Sequence, residues 1–230
     1  MSKIQEALKT LSLIIDPTER AVELAGLIST LFKLRDVALI VTGELAYNSY
    51  AATASTEPEL ELAAFAGKLT PRLLQEIMVG QLGAEGGVNR WTLLDIPIRF
   101  HFESGLALHD LCRDFTTRHG IVKLWPAEEI TAKRVLAAVF PEFNPIARGE
   151  ALTLLTQALV DAFQMNWIAL REICHGPEYR VGEELTQLRI EAKEDADARG
   201  LSFDQIGYLP AAETQRLMVD DLPAPGLSAF

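Results

Sequence analysis

Apolar residues Val22, Leu24, Leu27, Ile28, Leu31 and Phe32 recur at helical spacing, so residues 16–34 predict an amphipathic helix with one face suited to cover a sheet. Asp16-Pro17-Thr18-Glu19 marks its start, with Asp16 as N-cap, Pro17 in the first turn and Glu19 placed for a capping box. The period then changes. Val37-Ala38-Leu39-Ile40-Val41 is an unbroken apolar run and predicts a buried strand, which Gly43 ends by a sharp turn into a helix around Leu45 to Tyr50. Glu59-Leu60-Glu61-Leu62 alternates strictly, so a strand there places both carboxylates on one face and both leucines on the other. Thr70-Pro71 repeats the capped-proline signature and opens a helix through Leu82, ended by residues 83–87.

Residues 88–102 are rich in β-formers and alternate through Trp91 to Leu94 and Ile96 to Phe102, with Pro97 marking an edge, a bulge or a break. Residues 106–118 read as a helix stopped by His119-Gly120, followed by a short strand over 121–124 and a helix opened by Pro126. Helices and short strands therefore alternate up to about Val139, which predicts an α+β (mixed α/β) fold: a mixed sheet flanked by helices. Beyond Pro141-Glu142-Phe143-Asn144-Pro145 the pattern is helical over 149–172 and 178–198, with a further short helix at 211–219. This organisation gives an α/β domain with N-terminal helices over 1–140, a helical region over 141–220 and a flexible tail over 221–230, with the boundary at 141–147.

Composition narrows the setting. A chain of 230 residues that is 49% hydrophobic can bury a substantial core, and 21 basic against 32 acidic residues give a net charge of −11. With no block of lysine or arginine, a general nucleic-acid-binding surface is disfavoured. Cys112 and Cys174 lie far apart without metal-binding spacing, which fits reduced thiols in a cytosol. The N-terminus lacks a signal-like apolar region, and no apolar run reaches the roughly 20 residues that a membrane helix needs. The expected location is cytoplasmic.

Strand, glycine turn, short helix and acid-bearing strand together resemble the nucleotidyltransferase superfamily, and more narrowly its abortive-infection type, some members of which act as toxins of toxin-antitoxin pairs. The residues that carry the resemblance are Gly43-Glu44-Leu45-Ala46, Tyr50 and Glu59-Leu60-Glu61, with a later strand and helix from Val122 to Lys133 through Pro126, Glu128 and Glu129. It covers roughly residues 34–138. The resemblance implies that Glu59, Glu61 and, as a third acid, Asp95 hold Mg²⁺ and carry catalysis. It also implies that Gly43, Glu44 and Lys133 contact the phosphates of an NTP, and that a nucleotidyl group passes to a hydroxyl.

The chain departs from the family pattern in ways that weaken this site. Glu44 stands where a second glycine is expected, and its charge at a helix N-terminus competes with phosphate for the same N–H groups. The paired aspartates are glutamates, and their spacing from Thr56 is one residue longer, with Pro58 between; Glu57 and Glu59 form an alternative register. If Ile98 to Phe102 is the strand that should carry the third acid, its polar positions are Arg99 and His101 and no third carboxylate exists. Two readings follow. One is a degenerate nucleotidyltransferase-like protein that works by binding a ligand or a protein partner; the other is an active Mg²⁺-dependent transferase. Plainer roles stand beside both: Gly43 as a turn glycine, Glu59 and Glu61 as a solvated strand face, Asp95 as a turn or strand-end acid before Pro97, and Lys133 and Arg134 paired with Glu129 or Glu128 one helical turn away.

Overall fold

A computed structural model describes residues 3–53, 57–101, 111–160 and 162–200. The chain forms two compact units, Met1–Pro126 and Ala127–Phe230. Among the described residues, no helix is long and apolar enough to cross a membrane.

The first unit begins with α1 (Lys3–Leu11) and α2 (Pro17–Lys33). Asp16 caps α2 as its sequence requires, accepting a 2.7 Å hydrogen bond from the Glu19 N–H. Strand β1 (Ala38–Thr42) runs directly into α3 (Gly43–Ala51), and β2 (Leu60–Ala66) follows. Thr70 caps α4 (Pro71–Leu74), which continues as a wider π-helical segment, Gln75–Gln81. The remaining strands are β3 (Glu85–Gly87), β4 (Arg90–Leu93), β5 (Ile96–His101), β6 (Arg113–Thr117) and β7 (Gly120–Leu124).

These strands form one mixed sheet in the order β3-β4-β5-β2-β1-β7-β6. Strand β1 is antiparallel to β2 and parallel to β7, and β2 is parallel to β5. Alternation separates the two faces of the sheet. Leu60, Leu62, Trp91, Leu93, Ile98, Phe100, Val122 and Leu124 are buried on one face, where the Phe32 ring of α2 lies 5.6 Å from the Phe100 ring. Each such large apolar side chain contributes about 1.5–3 kcal/mol through burial. Helix α2 lies tight against the β6–β7 hairpin: Thr30 Oγ1 donates to the His119 carbonyl at 2.8 Å, and any side chain at Gly26 would overlap Thr117. The opposite sheet face carries Arg90, Thr92, Glu61, Arg99, His101, Asp114 and Lys123.

Two sequence expectations change here. Residues 113–117, expected within a helix over 106–118, form strand β6, because Phe115 and Thr116 pair with Val122 and Ile121 across a two-residue turn; residues 106–110 of that expected helix lie outside the described residues. Pro97 lies inside the sheet, opposite Thr92. It is tolerated because Leu93 and Ile96 close the turn, so the next pair does not exchange hydrogen bonds, and the β2 ladder begins one residue later at Ile98.

The second unit contains α5 (Ala127–Val139), α6 (Pro145–Leu159), α7 (Trp167–His175) and α8 (Gly182–Ala198). Helix α5 packs on α6 and α7, and α6 packs on α8. The division therefore falls at Pro126/Ala127, whereas the sequence placed it at 141–147. The buried residues of α5, Ile130, Val135 and Ala138, belong to a helical core. The single helix expected over 149–172 is two, since Asn166 begins α7 by accepting a 3.1 Å hydrogen bond from the Ala169 N–H. The helix expected at 211–219 and the tail over 221–230 lie outside the described residues.

Candidate functional site

Strands β2 and β5 run side by side with Glu61 opposite Arg99 and Ala63 opposite His101. Both glutamates lean along the strand to reach nitrogen-bearing partners on β5. Arg99 Nη2 lies 2.9 Å from Glu59 Oε1 and donates to Oε2 at 3.2 Å, while His101 Nε2 lies 2.8 Å from Glu61 Oε2. The alternating strand thus places the two acids as expected, and the neighbouring strand supplies a guanidinium and an imidazole. All four side chains retain partial exposure, from 21% at Glu61 to 39% at His101, so each pair contributes at most about 1 kcal/mol.

Gly43 stands directly against this ladder. Its φ is +65°, in the left-handed region, and a Cβ built on it would lie 2.6 Å from both Cδ and Oε1 of Glu61. Thr42, the N-cap residue of α3, makes no side-chain capping bond. The Glu61 carboxylate therefore occupies the space beside the first residue of α3, where a negative group is favoured by the helix dipole. The expected phosphate turn accommodates a carboxylate of the protein itself. Glu44 follows on the exposed first turn of α3.

Asp95, the expected third acid, does not join Glu59 and Glu61. It is the second residue of the two-residue turn between Leu93 and Ile96, with φ of +62° after Leu94 at +53°. Both central residues are left-handed, as a tight hairpin of this kind demands, and aspartate tolerates that conformation. Asp95 precedes Arg99, the residue in register with Glu61 on β5, by four residues, about 13 Å of extended chain. Of the alternatives left open by the sequence, β5 is the strand whose polar positions are Arg99 and His101. Among the described residues, no group of three His, Cys, Asp or Glu side chains is arranged to hold a metal ion. The donor set at Glu59 and Glu61 therefore does not fit Mg²⁺: the two carboxylates face Arg99 and His101, with no third acid beside them among the described residues.

No protein-family model matches the chain, and no curated protein matches it. The late part of the family resemblance takes a structural form. Lys133, on α5 in the second unit, lies with Nζ 3.7 Å from Glu129 Oε1 one helical turn away, as its plainer reading anticipated. Arg134 pairs at 2.9 Å with Glu150 of α6. Glu128 and Glu129 are buried. Glu128 Oε1 accepts the Asn166 N–H at 2.6 Å, and Glu129 accepts a hydrogen bond from the Tyr179 hydroxyl. Burial pushes the nearby Cys174 thiol up to about 12, with the Glu129 charge adding to the effect. Tyr179 is also raised, first by burial and then by its hydrogen bond to Glu129. Cys112 and Cys174 are not joined in a disulfide; one lies just before β6 and the other within α7. Thr56 lies outside the described residues.

Arg90 was not among the residues singled out by sequence. It sits on β4 directly opposite Arg99. The alternation of Arg90-Trp91-Thr92-Leu93 carried its facing, but the pairing depended on the two-residue turn at Leu94-Asp95.

Proposed function

We propose that the protein keeps a nucleotidyltransferase-like frame and works by binding a ligand or a protein partner, without metal-dependent nucleotidyl transfer. Support for the frame is the succession of β1, the Gly43 turn, α3 and the acid-bearing β2. The observation that carries the binding reading is the ladder in which Glu59 meets Arg99 and Glu61 meets His101. Metal-assisted transfer requires carboxylate lone pairs directed at the ions that activate the nucleophile and neutralise the leaving group. Here they face the Arg99 guanidinium and the His101 imidazole. Glu61 also places negative charge against Gly43, where an NTP phosphate would need an uncontested helix N-terminus.

The alternative, an Mg²⁺-dependent transferase acting as a toxin, requires Glu59 and Glu61 to leave these partners. The two readings separate when ATP, GTP, CTP and UTP are each added with and without Mg²⁺ while thermal stability and label transfer are followed. A ligand at 100 times its Kd adds about 2.7 kcal/mol. The binding reading expects no transfer and no Mg²⁺-dependent gain with any nucleotide. A Mg²⁺-dependent gain that disappears in Glu59→Gln/Glu61→Gln would overturn it.

A further inference from the structure

Arg90 and Arg99 face each other across β4 and β5 at a position where paired side chains approach most closely. Counting from the turn, Leu93/Ile96 exchange hydrogen bonds, Thr92/Pro97 do not, Trp91/Ile98 do, and Arg90/Arg99 again do not. Like charges directly opposite each other destabilise a sheet. Only one of them is answered: Glu59 engages Arg99, and through Nη2 alone, while Arg99 Nε is shielded from solvent with no acceptor. Arg90 is exposed and makes no hydrogen bond or ion pair among the described residues. On its other side β3 offers Gly87, which brings no side chain. The polar face therefore holds a pair of guanidinium groups with unused donors in a protein of net charge −11.

We propose that Arg90 and Arg99 form a metal-independent binding site for the phosphate group of a small phosphorylated molecule. A tetrahedral oxyanion matches the planar donor geometry of guanidinium, accepts from both residues and relieves their repulsion. The flanking Glu59 and Glu61 and the net acidity favour one phosphate over a polyanionic chain, since each further phosphate would meet repulsion. The site stands on the arginine pair and does not depend on the transferase-like reading. Its Mg²⁺-free test likewise keeps the two separate.

The test is isothermal titration of the full chain in EDTA with inorganic phosphate, pyrophosphate, AMP, ATP and a short single-stranded RNA, using wild type, Arg90→Gln and Arg99→Lys. At least one of the phosphate or nucleotide probes should bind wild type, and each substitution should weaken that binding roughly tenfold or more, as loss of a charge-assisted bond predicts. AMP binding above inorganic phosphate would assign a nucleoside-bearing ligand; equal binding would assign the phosphate alone. In phosphate-free buffer Arg90→Gln should raise Tm by removing the like-charge pair, which also shows that the variant folds. Absence of binding by every probe, equal binding by wild type and both variants, or binding of the RNA alone would overturn the proposal.

Discussion

Two pairs of glutamates, alike as sequence, have opposite surroundings. Glu59 and Glu61 lie on a partly open sheet face, one against a guanidinium and the other against an imidazole. Glu128 and Glu129 begin α5 and are buried, held by the Asn166 N–H and the Tyr179 hydroxyl, with Lys133 at the rim. A hydrated ion pair exchanges one set of favourable contacts for another and gains little. A buried carboxylate cannot fall back on water, so removing either side of its hydrogen bond exposes the full desolvation cost of what remains. The acids that resemble a catalytic centre are thus expected to matter least for folding, and the unremarked pair in the helical unit most.

The largest expected effect is at Glu129. Glu129→Ala leaves the Tyr179 hydroxyl buried without its acceptor and should cost about 3 kcal/mol in urea unfolding at neutral pH. A cost below that of Glu61→Ala would break the comparison. Next comes alkaline pH. Cys174 and Tyr179 both have raised folded-state values, so the folded protein retains protons that the unfolded chain releases. Stability should hold below the ordinary thiol value of 9.0 and decline as pH rises from there toward about 12. Cys174 alone accounts for a loss on the order of 2 kcal/mol by about pH 11. Tm measured from about pH 8 to 11 should fall less steeply in Cys174→Ala; an identical decline would show that burial of the thiol is not responsible.

Gly43→Ala should cost about 1–2 kcal/mol through its left-handed backbone, with the Glu61 carboxylate displaced. Adding Glu61→Ala should recover only the steric part; full recovery in the double variant would mean that backbone strain at Gly43 is negligible. Smallest of all, Glu59→Ala and Glu61→Ala should each cost less than about 1 kcal/mol, and that cost should shrink in high salt. A larger, salt-insensitive cost would place the ladder in a drier setting than its exposure indicates.

What could be read in the sequence was local. The caps at Asp16 and Thr70, the buried β1, the glycine turn and the shared face of Glu59 and Glu61 each depend on residues within a few positions. Arg99 and His101 were legible as polar positions of a strand, but their pairing with acids 40 residues earlier depends on a parallel register that no local pattern sets. Asp95 was legible both as a third acid and as a turn acid before Pro97, and nothing local decided between them because Leu94-Asp95 contains no glycine to signal a turn with both residues left-handed. Residues 113–117 looked helical until the partner strand β7 supplied a ladder. Helix α5 followed the strand-helix rhythm of the sheet, yet its apolar face is filled by α6 and α7, a choice of partner that periodicity does not encode.

The two-residue turn between β4 and β5 makes the chemistry of the sheet face a matter of parity. With Leu93 fixed opposite Ile96, every second residue of β5 points to the polar side, which gives that side Arg99 and His101 and leaves Ile98 and Phe100 to the core. An insertion or deletion of one residue in β5 would exchange these sets, turning arginine and histidine into the core and presenting isoleucine and phenylalanine to the acids of β2. Length changes in this hairpin can therefore persist only in even steps or with a compensating bulge, a constraint that binds the ladder and the arginine pair together.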